Sequence, residues 1–232
     1  MPNDGGLEAI AHHALGLIPP QSVVGLGTGR AATVFIHALG ERVRNGFPVR
    51  AIPTSQASAA LATQLGIPLT RFEDVEDIDV CVDGADEVDP AGNLIKGFGG
   101  ALLREKVVAA SARRLVILVG PEKLVPVLGT RGLLPVEVVP FALTPVERRL
   151  RAMGLNPQLR RQNGQTFITD NGHHILDCRI GPLDDPRLLD DALHRIPGVV
   201  ETGLFLDFAL CILIPEGDRV STRITRPSAR PE

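Results

Sequence analysis

Between positions 79 and 106 the chain reads DVCVDGADEVDPAGNLIKGFGGALLREK. Asp83 and Asp86 bracket Gly84 and Ala85, Lys96 precedes Gly97, Phe98, Gly99 and Gly100, and Glu105 follows in an apolar-periodic run. A carboxylate able to take a proton, a compact cation, two further acids and a glycine-rich row of amides suit proton transfer beside a carbonyl. In such a reaction the developing oxyanion is held by donors already in place. A second set lies earlier. Gly27-Thr28-Gly29-Arg30-Ala31 offers the amides of 28–31, the Thr28 hydroxyl and the Arg30 guanidinium to a phosphate.

These groups need a scaffold. The apolar run 78–82 reads as a buried strand that stops at a turn over 83–86. Ligands of open α/β sheets bind beyond the carboxyl ends of the strands, which is where both aspartates fall. A helix expected from about 100 to 112 carries Glu105. Upstream, the pattern predicts a helix over 4–17, a strand at 22–26, a helix at 31–43, a strand at 49–52, a helix to about 65 and a short strand at 67–70. Ser55, at the start of that third helix, suits an N-cap or a ligand contact equally. A strand at 115–119 precedes a short helix that opens at Pro121 and carries Lys123. Wholly apolar strands alternating with helices indicate a parallel sheet covered on both faces.

Beyond about 130 the character changes. A strand at 134–139, a helix at 145–153, strands at 165–169 and 173–177 joined by an Asp-Asn-Gly turn, a helix at 186–194 and a strand at 198–201 give the order β-α-β-β-α-β, that of a ferredoxin-like unit. An apolar strand at 206–214 returns to the first sheet, and the last ten residues read as a frayed tail. The fold class is therefore α/β. A Rossmann-like parallel-sheet domain (1–130 and 204–232) carries a smaller ferredoxin-like α+β domain (131–203).

Composition removes several functions. With 232 residues, 44% of them apolar, the chain can bury a sizeable core, and its net charge of −3 exerts no general pull on nucleic acid or anionic membrane. Trp and Tyr are absent and Phe numbers eight, a poor stacking platform for single-stranded nucleic acid. No apolar run approaches the roughly 20 residues that span a bilayer, and no Lys or Arg precedes Arg30 to form a signal peptide. Three dispersed cysteines read as buried thiols of a cytoplasmic protein. No metal-ligand spacing occurs among the six histidines. A nicotinamide enzyme is disfavoured, because the dinucleotide motif needs a third glycine after Gly29 and an acid ending the next strand, and Pro53-Thr54-Ser55 stands there. Of the 24 basic residues only Lys96, Lys106 and Lys123 are lysines. That retention suggests a need for a compact ammonium.

Three blocks together resemble the type A ribose-5-phosphate isomerase family: 24–32 (VGLGTGRAA), 82–89 with 96–106 (VDGADEVD, KGFGGALLREK) and 134–141 (LPVEVVPF). Segments 169–177 (TDNGHHILD) and 196–205 (IPGVVETGLF) extend the likeness. The resemblance implies interconversion of ribose 5-phosphate and ribulose 5-phosphate in the pentose phosphate pathway, with no metal or organic cofactor, in a homodimer or homotetramer. It implies that Glu105 is the general base and that Asp83, Asp86 and Lys96 handle the ring oxygen and the C1 and C2 oxygens. It further implies that Thr28, Gly29, Arg30 and Ala31 hold the phosphate, with Gly84, Ala85, Gly97, Phe98, Gly99 and Lys123 as other substrate contacts.

Two positions depart from the family. Arg30 stands where a Ser is usual, and the first helix lacks the Lys that often helps to hold phosphate there. Arg30 is the expected replacement charge. Phe98 stands at the second of four glycines. Either that position needs no positive φ, or the loop is re-shaped and the ring covers the site. Two rival readings are a sugar-phosphate sensor without catalysis and an isomerase of another aldose phosphate. A sensor would lose the base and normally carry a DNA-binding helix-turn-helix.

Overall fold

The computed structural model describes residues 4–208, 210–217 and 219–225. The chain forms two compact units. One comprises the residues up to Ala85, Arg104–Leu124 and those from Asp207 on; the other comprises Asp86–Leu103 and Val125–Leu206.

The first unit is built on a six-stranded sheet in the order Arg219–Thr225, Leu210–Glu216, Leu115–Leu118, Val80–Gly84, Ser22–Leu26, Val49–Pro53. Every pairing is parallel except that of the Arg219–Thr225 edge. Ser22–Leu26 and Leu115–Leu118 are buried at every position, as strands covered on both faces must be. The covering helices owe their placement to spacing. On Arg30–Arg44, Ala32, Phe35, Ile36 and Leu39 recur at helical intervals and are all buried. Phe35, Ile36 and Leu39 join Ile10 of helix Asp4–Leu15 and Val24, Leu26, Val82 and Leu118 of the sheet in one core. Each large side chain so buried contributes about 1.5–3 kcal/mol.

The strand order reverses beside Ser22–Leu26. The chain leaves it for Val49–Pro53 on one side, then returns to Val80–Gly84 on the other. The loops after Ser22–Leu26 and Val80–Gly84 therefore diverge from adjacent carboxyl ends, the place where open α/β sheets bind ligands.

Three local expectations change. The Val80–Gly84 strand runs through Asp83 and Gly84, which pair with Ile117 and Leu118, so the strand stops after Gly84 and the bend comes only at Asp86. Segment 67–70 makes only an isolated bridge, Ala51 to Leu69. The expected tail begins inside strand Arg219–Thr225, and its remainder, 226–232, lies outside the described residues.

The second unit is a four-stranded antiparallel sheet in the order Val199–Thr202, Leu133–Val138, His174–Arg179, Asn156–Leu159. Helices Leu143–Ala152 and Pro186–His194 complete the ferredoxin-like β-α-β-β-α-β order. Val136, Val138, Val146, Leu150, Leu176 and Leu193 share its core. The second strand of this sheet is Asn156–Leu159; of the expected 165–169 only Gln165–Thr166 is a strand, paired with Arg161–Gln162 in a separate hairpin. Segment 169–173 is instead drawn onto Glu137, whose Oε1 accepts from Thr169 Oγ1 (3.0 Å) and Asn171 Nδ2 (3.2 Å) and lies 2.9 Å from His173 Nδ1.

The boundaries also differ from the expected 131–203. Glu87–Val88, Leu94–Ile95 and Leu204–Phe205 form a small sheet of their own. That pairing draws Asp86–Leu103 into the second unit and moves the return to Asp207. Among the described residues no helix is long and apolar enough to cross a membrane.

Candidate active site

In the first unit, the glycine turn closes on Asp83. Gly27 N–H donates to the Val82 carbonyl at 2.9 Å. Asp83 is 1% exposed, and its Oδ1 accepts from Thr28 N (3.2 Å) and Gly84 N (2.7 Å). Gly27 is glycine because there is no room for more: a Cβ would lie 2.2 Å from Asp83 Oδ1. The Thr28 hydroxyl faces away into a cluster of hydroxyls, 2.7 Å from Thr54 Oγ1 and 2.9 Å from Ser55 Oγ. Ser55 is the N-cap of helix Gln56–Gln64, accepting from Ser58 N at 3.0 Å, and Ser58 Oγ donates to the Gly27 carbonyl at 2.6 Å. Thr28 thus braces the loop.

The turn continues into Gly29, Arg30 and Ala31. Gly29 caps helix Arg30–Arg44 with φ 97° and ψ −176°, a conformation close to glycine-only. The first N–H groups of that helix have no acceptors within it. Arg30 is exposed and lines a cavity of about 490 Å³ with Gly6, Leu7, Gly120, Pro121 and Glu122 among others. Among the described lining residues the first helix contributes Gly6 and Leu7, and Arg30 is the cation. Lys123 is half-buried and ends the adjoining turn Pro121–Lys123.

Glu105 sits in the first turn of helix Leu102–Ala110 and is 3% exposed. The helix lies close on the sheet because Gly25 has no side chain: a Cβ there would come 2.6 Å from Val108 Cγ1 and 3.0 Å from Cys81 Cβ. Val108 and Glu105 are three apart and share that helix face. Gly84 is not so crowded: a Cβ there would lie in ordinary contact, 3.5 Å from the Ala31 Cβ. Ala85 follows, half-buried.

In the second unit, Asp86, Lys96 and the glycine loop come together. Asp86 Oδ2 accepts from Phe98 N at 3.0 Å. Lys96 is 3% exposed, with its N–H on the Gly203 carbonyl (2.9 Å) and its ammonium 5.5 Å from the centre of the Phe205 ring. Gly97 and Gly100 take positive φ, 109° and 84°, whereas Phe98 does not. Phe98 is therefore held without the backbone strain that a positive φ would impose on it. Its ring is 40% exposed and its N–H is engaged by Asp86. Gly100 N–H turns back to the Gly97 carbonyl at 3.0 Å, and the helix begins only at Leu102. Gly99 is exposed.

Sequence reasoning missed the back of this loop. Arg160 Nη1 donates to the carbonyls of Gly97 (2.8 Å) and Phe98 (3.2 Å), and Arg160 Nε donates to Asp177 Oδ2 at 2.8 Å. It also missed Glu87, fully buried, whose two oxygens accept from Gly129 N and Arg131 N at 2.7 Å each.

The cysteines offer no alternative nucleophile. All three are buried free thiols, and burial, with Asp177 adding to it, pushes the Cys178 thiol up to about 12. Among the described residues no group of three or more His, Cys, Asp or Glu side chains is gathered to hold a metal ion.

Comparison with known proteins agrees along the chain. Residues 50–219 match the family model described as ribose 5-phosphate isomerase A (phosphoriboisomerase A). The ribose-5-phosphate isomerase A of Gloeobacter violaceus is 47% identical over 226 residues, covering 97% of each chain. That of a Roseiflexus species is 47% identical, covering 96% of this chain and 97% of its own. The solved ribose 5-phosphate isomerase A of Methanocaldococcus jannaschii superposes with a TM-score of 0.91 at 38% identity, covering 96% of this chain and 100% of that one. A D-ribose-5-phosphate isomerase solved in complex with phospho-erythronic acid gives 0.92 at 36% identity, covering 97% and 100%.

Proposed function

Because the chain belongs to the ribose 5-phosphate isomerase A family, we propose that it interconverts D-ribose 5-phosphate and D-ribulose 5-phosphate through a cis-enediolate. The observation that carries this reading is Glu105, a carboxylate 3% exposed on the helix that follows the glycine loop. Glutamate is almost never buried so fully without a specific role or partner.

The steps follow from the side chains. The furanose opens first, and Lys96, Asp83 or Asp86 moves the protons this requires. Glu105 then takes the proton from C2 of the open aldose, leaving an enediolate; a proton passes from O2 to O1, and Glu105 returns its own at C1 to give the ketose. The Lys96 ammonium and backbone N–H groups of the glycine loop hold the developing oxygen charge. Gly29, Arg30 and Ala31 bind the phosphate at the N-terminus of helix Arg30–Arg44, where backbone N–H groups and the helix dipole favour an anion. Thr28 holds that turn in shape. Gly84, Ala85 and Lys123 contact the sugar phosphate. The carboxylate of phospho-erythronic acid, bound by a solved relative, has the planar two-oxygen form of an enediolate.

The same reading places the enzyme in the cytoplasm, in the pentose phosphate pathway, as a homodimer or homotetramer, with no metal or organic cofactor. Three buried free thiols suit a reducing compartment. The test is turnover of ribose 5-phosphate by the purified protein with EDTA present. Tight binding of the sugar phosphate without turnover would replace the enzyme with a sensor.

Arg30 carries its own prediction. A hydrogen bond to a charged group is worth about 1.5–3 kcal/mol, so Arg30→Ser should raise KM roughly 10–100-fold while kcat stays within about threefold. An unchanged KM would remove Arg30 from the phosphate site.

A further inference from the structure

We infer that Arg160 is a positioning residue for the isomerisation, aiming the peptide groups of the glycine loop that hold the enediolate; the inference rests on the proposed activity. The geometry begins with one peptide group, that between Gly97 and Phe98. Its carbonyl accepts from Arg160 Nη1 at 2.8 Å, and its N–H donates to Asp86 Oδ2 at 3.0 Å. A guanidinium at one end and a carboxylate at the other leave this plane no freedom to flip. The next peptide group is held by its carbonyl alone, which accepts from the same Nη1 at 3.2 Å. The chain has no cis peptide bonds among its described residues. In a trans peptide the N–H points opposite to the carbonyl. With both carbonyls turned to Arg160, the N–H groups of Phe98 and Gly99 face away from it. Phe98 spends its N–H on Asp86, and Gly99 presents its own as the donor for the substrate oxygen.

Arg160 is itself anchored. Its Nε bonds Asp177 Oδ2 at 2.8 Å, its Nη2 bonds the other Asp177 oxygen, and the two side chains are 13% and 22% exposed. The planar fork allows this two-point grip, and the charge-assisted bonds make it strong. Its backbone is held by Arg160 N to the Ile175 carbonyl and Phe167 N to the Arg160 carbonyl, each 2.9 Å. The Phe167 ring, 5.9 Å from the guanidinium, fills the space a Cβ on Gly100 would enter, at 2.4 Å. The loop is thus backed at Gly97, Phe98 and Gly100 from a single side. A cation on the carbonyls also polarises the peptide groups and strengthens their N–H donors. Lysine cannot reproduce this, since it lacks the fork that grips Asp177 while reaching both carbonyls.

The experiment compares wild type, Arg160→Ala, Arg160→Lys and Asp177→Asn. It measures kcat and KM for ribose 5-phosphate, Tm, and the response to added guanidinium chloride at millimolar concentration. An oxyanion donor is worth about 10²–10³ in kcat. Arg160→Ala should therefore lower kcat roughly 100-fold with KM within about threefold, and guanidinium should restore kcat at least tenfold without raising Tm. Arg160→Lys and Asp177→Asn should fall between wild type and alanine. A folded Arg160→Ala variant with wild-type kcat overturns the inference. So does a kcat loss that tracks a fall in Tm and does not respond to guanidinium. Wild type failing to turn over ribose 5-phosphate would bring down the proposed activity itself, and this inference with it.

Discussion

Replacing Glu105 with glutamine is expected to lower kcat for ribose 5-phosphate by about 10²–10⁴-fold, the range a positioned base supplies. KM should stay within about threefold, because the loss belongs to the transition state. Glutamine keeps the size of the side chain but cannot accept the C2 proton. Glu105 is 3% exposed, so bulk water cannot easily stand in for it. Two readouts accompany the rate. Exchange of the substrate C–H with deuterated solvent should fall in parallel, since proton removal is the step lost. Binding of a sugar-acid phosphate such as phospho-erythronic acid should persist. A kcat within tenfold of wild type would place the base elsewhere. Loss of both binding and Tm would make Glu105 structural.

Glu105, Lys96 and the two aspartates stand out in the sequence as candidates because acids, a rare lysine and glycines crowd into 28 residues around one strand. The parallel sheet was legible because its strands are buried on both faces and read as unbroken apolar runs. What surrounds the site was less so. Asp83 and Gly84 are poor strand formers, yet they continue the strand because Ile117 and Leu118 run alongside to pair with them.

Asn156–Leu159 escaped notice for a related reason. It is an edge strand, and its Asn, Pro, Gln and Leu have neither alternation nor apolar character; Pro is tolerated only at such an edge. Segment 165–169, richer in Thr, Phe and Ile, has the better local propensity, but Glu137 captures its end. Once that strand is misplaced, Arg160 has no location. Its partners at Gly97 and Phe98 lie 63 and 62 residues away, a distance no local pattern spans. The hydroxyls at 54, 55 and 58 did leave a signal, as a polar cluster straight after a strand. Their role of bracing Thr28 needed the parallel neighbours Ser22–Leu26 and Val49–Pro53 to bring them together.

Gly27→Ala should be the most damaging single-methyl change in the first unit. Gly27 is not among the glycines with positive φ, so its requirement is for space. The added carbon would lie 2.2 Å from Asp83 Oδ1 and 2.7 Å from Asp83 Cα. Asp83 cannot retreat, because its strand is paired on both sides. The glycine turn must move instead, and with it go the Gly27 N–H to Val82 bond and the Thr28 N–H to Asp83 bond. Overpacking of this kind costs about 1–3 kcal/mol, which for a chain of this size is a fall in Tm of roughly 2–12 °C. The kinetic loss should be larger. Asp83 loses a hydrogen bond while the glycine turn proposed to hold the phosphate is displaced, so kcat should fall and KM rise, with kcat/KM dropping at least about 100-fold.

Gly29→Ala is the control. At Gly29 a Cβ would meet nothing within 4 Å, but φ is 97°. The cost there is backbone strain confined to the helix cap, about 1–3 kcal/mol. Its KM should rise while kcat stays near wild type, since Asp83 is untouched. Should both variants move only KM, or should Gly27→Ala prove the milder, the close approach of turn and aspartate would not be what holds the glycine turn and Asp83 in register.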